Sequence, residues 1–255
     1  MKLIIDAMGG DNAPLEIVKG ALSGQKRWGV DVTLTGDTTA ILQALEACGE
    51  KTLPQGMEIV HTTETVEMCD DPATVFRRKK DTSMGVGLTM LRDGRADAMV
   101  SAGSTGALLT GATLIVKRIR GIRRAAMAPV IPTTTGQAVL IDCGANAECP
   151  PEYLIQFAYM GSYYAEHVLG RPEPKVGLLN IGVEPTKGTS LQTTVYPLLK
   201  AAGEAGRINF VGNVEAREAV EGAVDVIVSD GSWRTTTSPV TYSSIFGGED
   251  YDATL

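Results

Sequence analysis

Apolar, β-branched segments alternate along this chain with stretches long enough to form helices. Three of the intervening stretches carry apolar residues on one helical face and are predicted to be helices: Pro14–Arg27, Thr38–Cys48 and Pro151–Leu169. Eight segments are typical of strands: Lys2–Met8, Asp31–Gly36, Met57–Thr62, Asp97–Ser101, Ala138–Cys143, Lys175–Ile181, Ile208–Val211 and Val224–Ser229. This alternation predicts an α/β fold.

The predicted strands also indicate how the layers are arranged. Several of them are nearly continuous apolar runs, which indicates burial on both faces and a largely parallel sheet between two layers of helices. Met127–Pro132 and Ala138–Cys143 are the exception, because the short turn-forming segment between them allows an antiparallel hairpin. The fold class expected is therefore a three-layer αβα architecture, with residues 1–231 as one α/β domain.

The composition is typical of a globular α/β protein. The 255 residues are 44% hydrophobic with a net charge of −7, within the range of one large α/β domain or two small ones. We expect a cytoplasmic protein, because no apolar run reaches the roughly 18 residues of a membrane span and Asp6 comes too early for a signal peptide. The four cysteines form no CxxC pair and are interpreted as free thiols. The two histidines argue against a multi-histidine metal site.

Polar, glycine-containing motifs follow many of the predicted strands. Each motif alone fits ordinary turn chemistry, since Asn, Asp and Gly are favoured in turns. Ligands bind at the carboxyl ends of parallel strands, however, and we expect these motifs to meet at one edge of the sheet. The motifs are Asp6–Pro14, Asp142–Glu148, Asn180–Gly188, Gly212–Glu215 and Ser229–Gly231.

The run from Ser101 to Gly106 follows an apolar segment and is predicted to turn from a strand into a helix. Its glycines allow close approach to a ligand, its hydroxyls can donate hydrogen bonds, and the next helix directs free N–H groups at the same point. Phosphate is the ligand this pattern favours. The alternative is a Ser/Thr helix cap with no ligand, which is a common structural device.

Charge is distributed unevenly along the chain. No acidic residue occurs from Ala98 to Ile141, while five cations lie close together: Lys117, Arg118, Arg120, Arg123 and Arg124. We call these five residues the basic cluster. A second group of cations runs from Arg77 to Lys80. Either group is consistent with a solvated helix face, or with a surface that binds an acidic or phosphorylated partner.

Several of these motifs together resemble the PlsX family of bacterial phosphate acyltransferases. The similarity runs from residue 2 to Gly231, with Ser104 at a position where the family has asparagine. The matching motifs are Ile5–Asp11, Asp71–Thr74, Arg77–Asp81, Ser101–Ala107, Asp142–Asn146, Asn180–Gly182 and Lys187–Gly188.

The resemblance implies a fold like that of phosphate acetyltransferases and the isocitrate dehydrogenase group. It implies a homodimer, peripheral at the membrane surface, that makes acyl phosphate from acyl-acyl carrier protein and inorganic phosphate at the start of phospholipid synthesis. Phosphate attacks the thioester directly, so no covalent enzyme intermediate, cofactor, metal ion or nucleic acid partner is implied.

The same resemblance suggests roles for individual residues. Phosphate is placed on Ser101, Gly103, Ser104, Thr105 and Gly106. Lys187 is expected to supply the compensating cation, with Asn146 and Asp230 as further catalytic residues; the alternative for Lys187 is a surface or helix-capping lysine. Substrate positioning is assigned to Asp6, Gly9, Gly10, Asp11 and Asn180. The basic cluster is expected to dock the acidic carrier protein.

The resemblance ends after Gly231. Residues 232–255 show neither the helical nor the strand period of hydrophobic residues and are rich in Ser, Thr, Gly and Asp. We therefore predict that these residues form a disordered tail. We also predict that the chain has little or no activity. Two other functions stay open. One is a phosphate acetyltransferase-like enzyme acting on acyl-CoA, which has no obvious need for the basic cluster. The other is an inactive fragment that only binds carrier protein.

Overall fold

The computed structural model describes residues 1–146 and 148–231, and the predicted tail at 232–255 lies outside them. The chain divides into two compact units, Met1–Arg120 and Gly121–Leu255. Each unit has its own sheet.

The first unit is built on a four-stranded parallel sheet. Its strands are β1 (Lys2–Asp6), β2 (Asp31–Gly36), β3 (Met57–His61) and β4 (Ala98–Val100), in the order β3-β2-β1-β4. In the register, Ile5 of β1 is opposite Leu34 of β2 on one side and Val100 of β4 on the other. β2 is buried on both faces from Val32 to Gly36, whereas β1 is buried on the face of Ile4 and Asp6 and half-buried on the other.

Helices cover both faces of this first sheet. They are α1 (Leu15–Trp28), α2 (Thr38–Ala47), α3 (Val75–Arg78), α4 (Ser83–Arg92) and α5 (Thr105–Gly111), which continues as a π-helical turn over Ala112–Val116. Val18 of α1 and Ile41 of α2 pack with Leu34 in one apolar cluster, while Met84 of α4 and Ala107 of α5 form another with Met99 beside it. Asp37, Thr82 and Ser104 cap α2, α4 and α5 by accepting backbone N–H bonds.

The second unit contains a five-stranded sheet. Its strands are β5 (Val130–Thr133), β6 (Gly136–Ile141), β7 (Lys175–Leu179), β8 (Asn209–Val214) and β9 (Val226–Val228), in the order β5-β6-β9-β7-β8. The pair β5–β6 is the antiparallel hairpin that the sequence allows, and the other pairs are parallel. Helices α6 (Pro151–His167) and α7 (Ser190–Glu204) pack on one face through Phe157 and Leu199, and α8 (Ala216–Glu221) packs on the other.

The three-layer α/β fold predicted from the sequence is confirmed. The expectation that all the motifs meet at one sheet edge is wrong, because the strands form two sheets. Asp6–Pro14 and Ser101–Gly106 follow strands of the first sheet, and the remaining motifs follow strands of the second. Hydrophobic periodicity reports that a strand is buried but not which sheet it joins. Within the described ranges, no helix has the length and apolar character needed to cross a bilayer.

Candidate active site

In the first unit, the carboxyl ends of β1 and β4 are joined by a buried hydrogen-bond network. The Asp6 carboxylate is 1% exposed. Its Oδ2 accepts a 2.7 Å bond from the Ser101 hydroxyl, and its Oδ1 accepts a 3.3 Å bond from the Met8 N–H. The Gly103 N–H in turn donates to the Ser101 Oγ at 3.1 Å. The network therefore fixes the turn after β4 against the turn after β1.

Gly9 lies where a side chain would collide with this network. A Cβ at Gly9 would be 2.6 Å from Asp6 Oδ2 and 2.9 Å from the Gly103 nitrogen. Gly10 has a φ of +110°, a conformation that residues with side chains rarely adopt. Both glycines are thus required by backbone geometry, whatever ligand the site binds. Asp11, the last of the substrate-positioning residues predicted here, is exposed.

The turn itself uses two of its three hydroxyls within the protein. Ser104 is buried and its Oγ accepts from the Ala107 N–H at 3.4 Å, as a helix cap. The Ser101 hydroxyl donates to Asp6. Thr105 and Gly106 are exposed, and the Thr105 hydroxyl makes no hydrogen bond with residues 1–146 and 148–231. The phosphate role of the turn stays a prediction, with Thr105 as its available hydroxyl.

In the second unit, Asp142 organises the loop that follows β6. Its carboxylate is fully buried. One oxygen accepts from the Met127 N–H at 2.8 Å, and the other accepts from the Asn146 backbone N–H at 2.8 Å and from Asn146 Nδ2 at 3.1 Å. Asn146 also donates to the Ala125 carbonyl and accepts a 2.6 Å bond from Arg124 Nε. All the polar atoms of the Asn146 amide are therefore engaged.

The segment after β9 packs against this loop. A Cβ at Gly231 would lie 2.7 Å from the Asn146 carbonyl oxygen, and Gly231 has a φ of +85°. The buried Cys149 thiol donates to the Asp230 carbonyl at 3.6 Å. Burial raises the pKa of Cys149 to about 11, and the nearby Asp142 and Asp230 carboxylates add to the shift. Asn146 and Asp230, predicted as catalytic residues, are thus brought together.

Lys187 lies in the loop between β7 and α7, and its side chain is exposed. Its stem rests on Gly182, where a Cβ would be 3.2 Å from Lys187 Cγ. Asn180, at the end of β7, donates from Nδ2 to the Lys187 carbonyl at 3.0 Å. Because β6, β9 and β7 are parallel neighbours, Lys187 follows the same sheet edge as Asn146 and Asp230.

The basic cluster divides into two groups. Arg123 makes 2.7 Å contacts with both carboxylate oxygens of Glu152, and Arg124 bonds to Asn146. Lys117, Arg118 and Arg120 are exposed, and they form no ion pair with any residue in 1–146 or 148–231. Within the described residues, Arg123 is therefore ion-paired and Arg124 bonds to a neutral amide, while the side chains of Lys117, Arg118 and Arg120 make neither contact.

Sequence reasoning missed two residues of the second unit. Asp142 and Asn213 both lie in motifs that were singled out, but neither received a role. Arg124 was assigned to docking, whereas its Nε holds Asn146. Asp142 and Asn213 could have been found from the polar motifs that contain them. The contact between Arg124 and Asn146 could not, because no local sequence pattern predicts it.

Comparison with known proteins identifies the family. The family model described as "Fatty acid synthesis protein" matches residues 1–243. The chain belongs to this family. The match extends beyond Gly231, where the motif resemblance ends. A relative from Thermoanaerobacterium thermosaccharolyticum named "Phosphate acyltransferase" is 43% identical over 91% of this chain, and one from Alkaliphilus oremlandii with the same name is 48% identical over 91%. The resemblance to phosphate acyltransferases is therefore confirmed.

The chain spans about two thirds of the length of these relatives, 66% and 67% respectively. Among solved structures, a phosphotransacetylase from Streptococcus pyogenes aligns with a TM-score of 0.70 at 15% identity, covering 97% of this chain and 82% of that one. At that identity the likeness shows a shared fold.

Proposed function

We propose that this protein transfers an acyl group from acyl-acyl carrier protein to inorganic phosphate, giving acyl phosphate for phospholipid synthesis. The observation that carries the proposal is the 43–48% identity to relatives named phosphate acyltransferase over 91% of the chain. The polar residues at the carboxyl ends of the strands support it, since that is where α/β folds bind their ligands.

The reaction needs little covalent chemistry from the protein. An oxygen of hydrogen phosphate attacks the thioester carbonyl, the carbon–sulfur bond breaks, and the carrier thiolate takes up the phosphate proton to leave as a thiol. Negative charge grows on the carbonyl oxygen in between. The protein accelerates the step by holding the two reactants in line and placing positive charge or N–H donors where that charge develops.

In the second unit, Lys187 is the cation we assign to the developing charge. Its exposed side chain makes no ion pair within residues 1–146 and 148–231, so none of their carboxylates neutralises its charge by direct pairing. Asn146 and Asp230 are assigned to positioning at the same sheet edge. Arg124 and Asp142 hold the Asn146 amide from two sides, so its orientation is fixed before any substrate binds.

In the first unit, we assign phosphate to the turn of Ser101, Gly103, Ser104, Thr105 and Gly106, with Asp6, Gly9, Gly10 and Asp11 shaping its surroundings. The Asp6–Ser101 bond keeps the turn in one conformation. A preformed turn loses less conformational entropy on binding than a mobile one.

The carrier protein is assigned to the basic cluster, chiefly to Lys117, Arg118 and Arg120. Unpaired surface cations attract an acidic partner and speed its association. A homodimer in the cytoplasm, peripheral at the membrane, belongs to the same proposal.

A donor comparison tests the function. Acyl phosphate formation is measured with acyl-acyl carrier protein and with acyl-CoA at equal concentrations. Turnover that prefers the carrier-linked donor supports the proposal. Preference for acyl-CoA indicates a phosphate acetyltransferase-like enzyme, and carrier binding without turnover indicates a protein that only binds its partner.

A further inference from the structure

Two buried asparagines hold the loop that carries Lys187. The loop, residues 181–188, connects β7 to α7 and is called the lysine loop below. Asn180 directly follows β7 and is 6% exposed, and Asn213 lies near the end of the neighbouring strand β8 and is 9% exposed. Burying a side-chain amide costs free energy unless its polar atoms form hydrogen bonds inside the protein.

Asn180 fixes the carboxyl side of Lys187. Its Nδ2 donates to the Lys187 carbonyl at 3.0 Å, and its Oδ1 accepts from the Ile181 N–H at 2.8 Å. The next residue, Gly188, has a φ of +94°, and a Cβ there would lie 2.5 Å from Asn180 Oδ1. The loop therefore closes tightly over the Asn180 amide.

Asn213 fixes the amino side. Its Nδ2 donates to the Glu184 carbonyl at 2.8 Å, and the same carbonyl accepts the Lys187 N–H at 3.1 Å. The other end of this amide, Oδ1, is buried with no hydrogen-bond partner among residues 1–146 and 148–231. A buried acceptor without a hydrogen bond destabilises the folded state. The bond from Asn213 Nδ2 to the Glu184 carbonyl is the interaction that offsets this cost.

We propose that Asn213 is a positioning residue for Lys187, acting with Asn180 through the backbone of the lysine loop. Asn180 bonds the Lys187 carbonyl directly, whereas Asn213 bonds the Glu184 carbonyl that also accepts the Lys187 N–H. The lysine stem lies against Gly182. The Lys187 side chain is exposed and forms no ion pair with residues 1–146 and 148–231, so these backbone contacts are what position it. This inference rests on the catalytic role proposed for Lys187.

The test uses Asn213→Asp, which keeps the shape of the side chain but replaces the donor to Glu184 with an acceptor. Asn209→Asp is the matched control. Asn209 lies at the other end of β8, and its Nδ2 donates in the same way to the Glu173 carbonyl at 2.9 Å. Hydrogen exchange at the Lys187 amide and turnover are both measured in the whole chain, with and without Lys187→Met.

In Asn213→Asp we expect exchange at the Lys187 amide to speed up at least tenfold and kcat to fall at least tenfold, while the KM for phosphate stays within about twofold. Asn209→Asp changes neither quantity. Adding Asn213→Asp to Lys187→Met lowers kcat no further, because the residue being positioned is already gone.

Two results would overturn the inference. One is that Lys187→Met lowers turnover but Asn213→Asp does not. The other is that Asn213→Asp causes its full loss even in the Lys187→Met background, which would mean it acts on something else. Failure of the proposed function looks different: either no acyl phosphate is formed, or Lys187→Met leaves turnover intact while the exchange at residue 187 still responds to Asn213.

Discussion

The hydroxyl of Ser101 donates a 2.7 Å hydrogen bond to the buried carboxylate of Asp6, ninety-five residues earlier in the chain. The bond ties the ends of two adjacent parallel strands, β1 and β4. Its chemical consequence is that the Ser101 proton is directed at a carboxylate. A phosphate bound at this turn would have to rely on Thr105 and on backbone N–H groups.

Replacing Gly103 with valine is expected to abolish phosphate binding at the turn. A Cβ at Gly103 would already be tight against Met84 Cε at 3.2 Å and Gly9 Cα at 3.3 Å, and the two further methyl groups of valine add bulk at the same point. Thermal unfolding with and without phosphate, at matched ionic strength, measures the effect, since a ligand that binds only the folded state raises its stability. Gly20→Val is the control, because a Cβ there meets nothing within 4 Å. If phosphate protects Gly103→Val as well as the parent, the site lies elsewhere.

Lys187→Met is expected to lower turnover by roughly 10²- to 10³-fold, the usual effect of removing one preorganised charge-stabilising group. The free energy of unfolding should change little, because the Lys187 side chain is exposed. Lys200→Met is the control, another exposed lysine whose only ion pair among the described residues is a 4.0 Å contact with Glu204. A loss of turnover below about threefold corresponds to a change of less than about 1 kcal/mol in the activation free energy. That result would mean that Lys187 is a surface residue without a catalytic role.

Reversing two charges of the basic cluster, Lys117→Glu with Arg118→Glu, should weaken binding of the carrier protein, since neither charge has an ion-pair partner in the part of the chain that the structure describes. The affinity of the parent should also fall steeply with salt, because exposed charges are screened. Activity toward a short acyl-pantetheine should not change. Lys19→Glu with Lys26→Glu, on α1, is the control for net charge. Equal losses with both donors would show that the cluster is structural or serves phosphate.

Asp142→Asn is expected to destabilise the protein by about 1–3 kcal/mol. The buried carboxylate accepts three hydrogen bonds, and an amide would turn a donor toward one of those N–H groups. Urea unfolding measures the change. Asp97→Asn is the control: the Asp97 carboxylate accepts from the Lys2 N–H at an exposed position, where water can replace the bond. Equal effects of the two variants would contradict the importance of burial.

Cys149 should make folding stability depend on pH in the alkaline range. Burial raises its pKa from 9.0 to about 11, so the folded state keeps the thiol proton at a pH where the unfolded state loses it. The stability due to this group is complete below about pH 9 and is lost as the pH rises toward 11. Urea unfolding from pH 8 to 11 should show that decline, and Cys149→Ala should reduce it.

Alkylation gives an independent measurement of the same thiol. At pH 9, Cys149 should react at least tenfold more slowly than the exposed Cys69, because the thiolate is the nucleophile. Equal rates at the two cysteines would contradict the raised pKa.

Local sequence patterns predicted much of the secondary structure. The strands β1, β2, β3, β6 and β7 and the helices α1, α2 and α6 appear close to their predicted positions, because hydrophobic periodicity directly records which side chains are buried. The hairpin of β5 and β6 was also anticipated, because the connecting turn is too short for a parallel crossover.

Two errors in this prediction have local causes. The strand β8 continues through Gly212 to Val214, although the glycine was interpreted as a turn; the strand tolerates it at a φ of +112°, where the pairing register with β7 is irregular. The helix α7 was not predicted, and it contains Pro197. Glycine and proline normally interrupt these elements, and tertiary packing overrides that preference here.

The sequence by itself determined the fold class, the layers and the motifs that carry chemistry, since these depend on residues close together in the chain. Tertiary structure decided that the strands form two sheets, that Ser101 donates to Asp6, that Arg124 holds Asn146, and that Asn213 holds the lysine loop. Each of these contacts joins residues at least 22 positions apart. No period in the sequence encodes such a pairing, because it is the packing of whole elements that brings the two groups within hydrogen-bond distance.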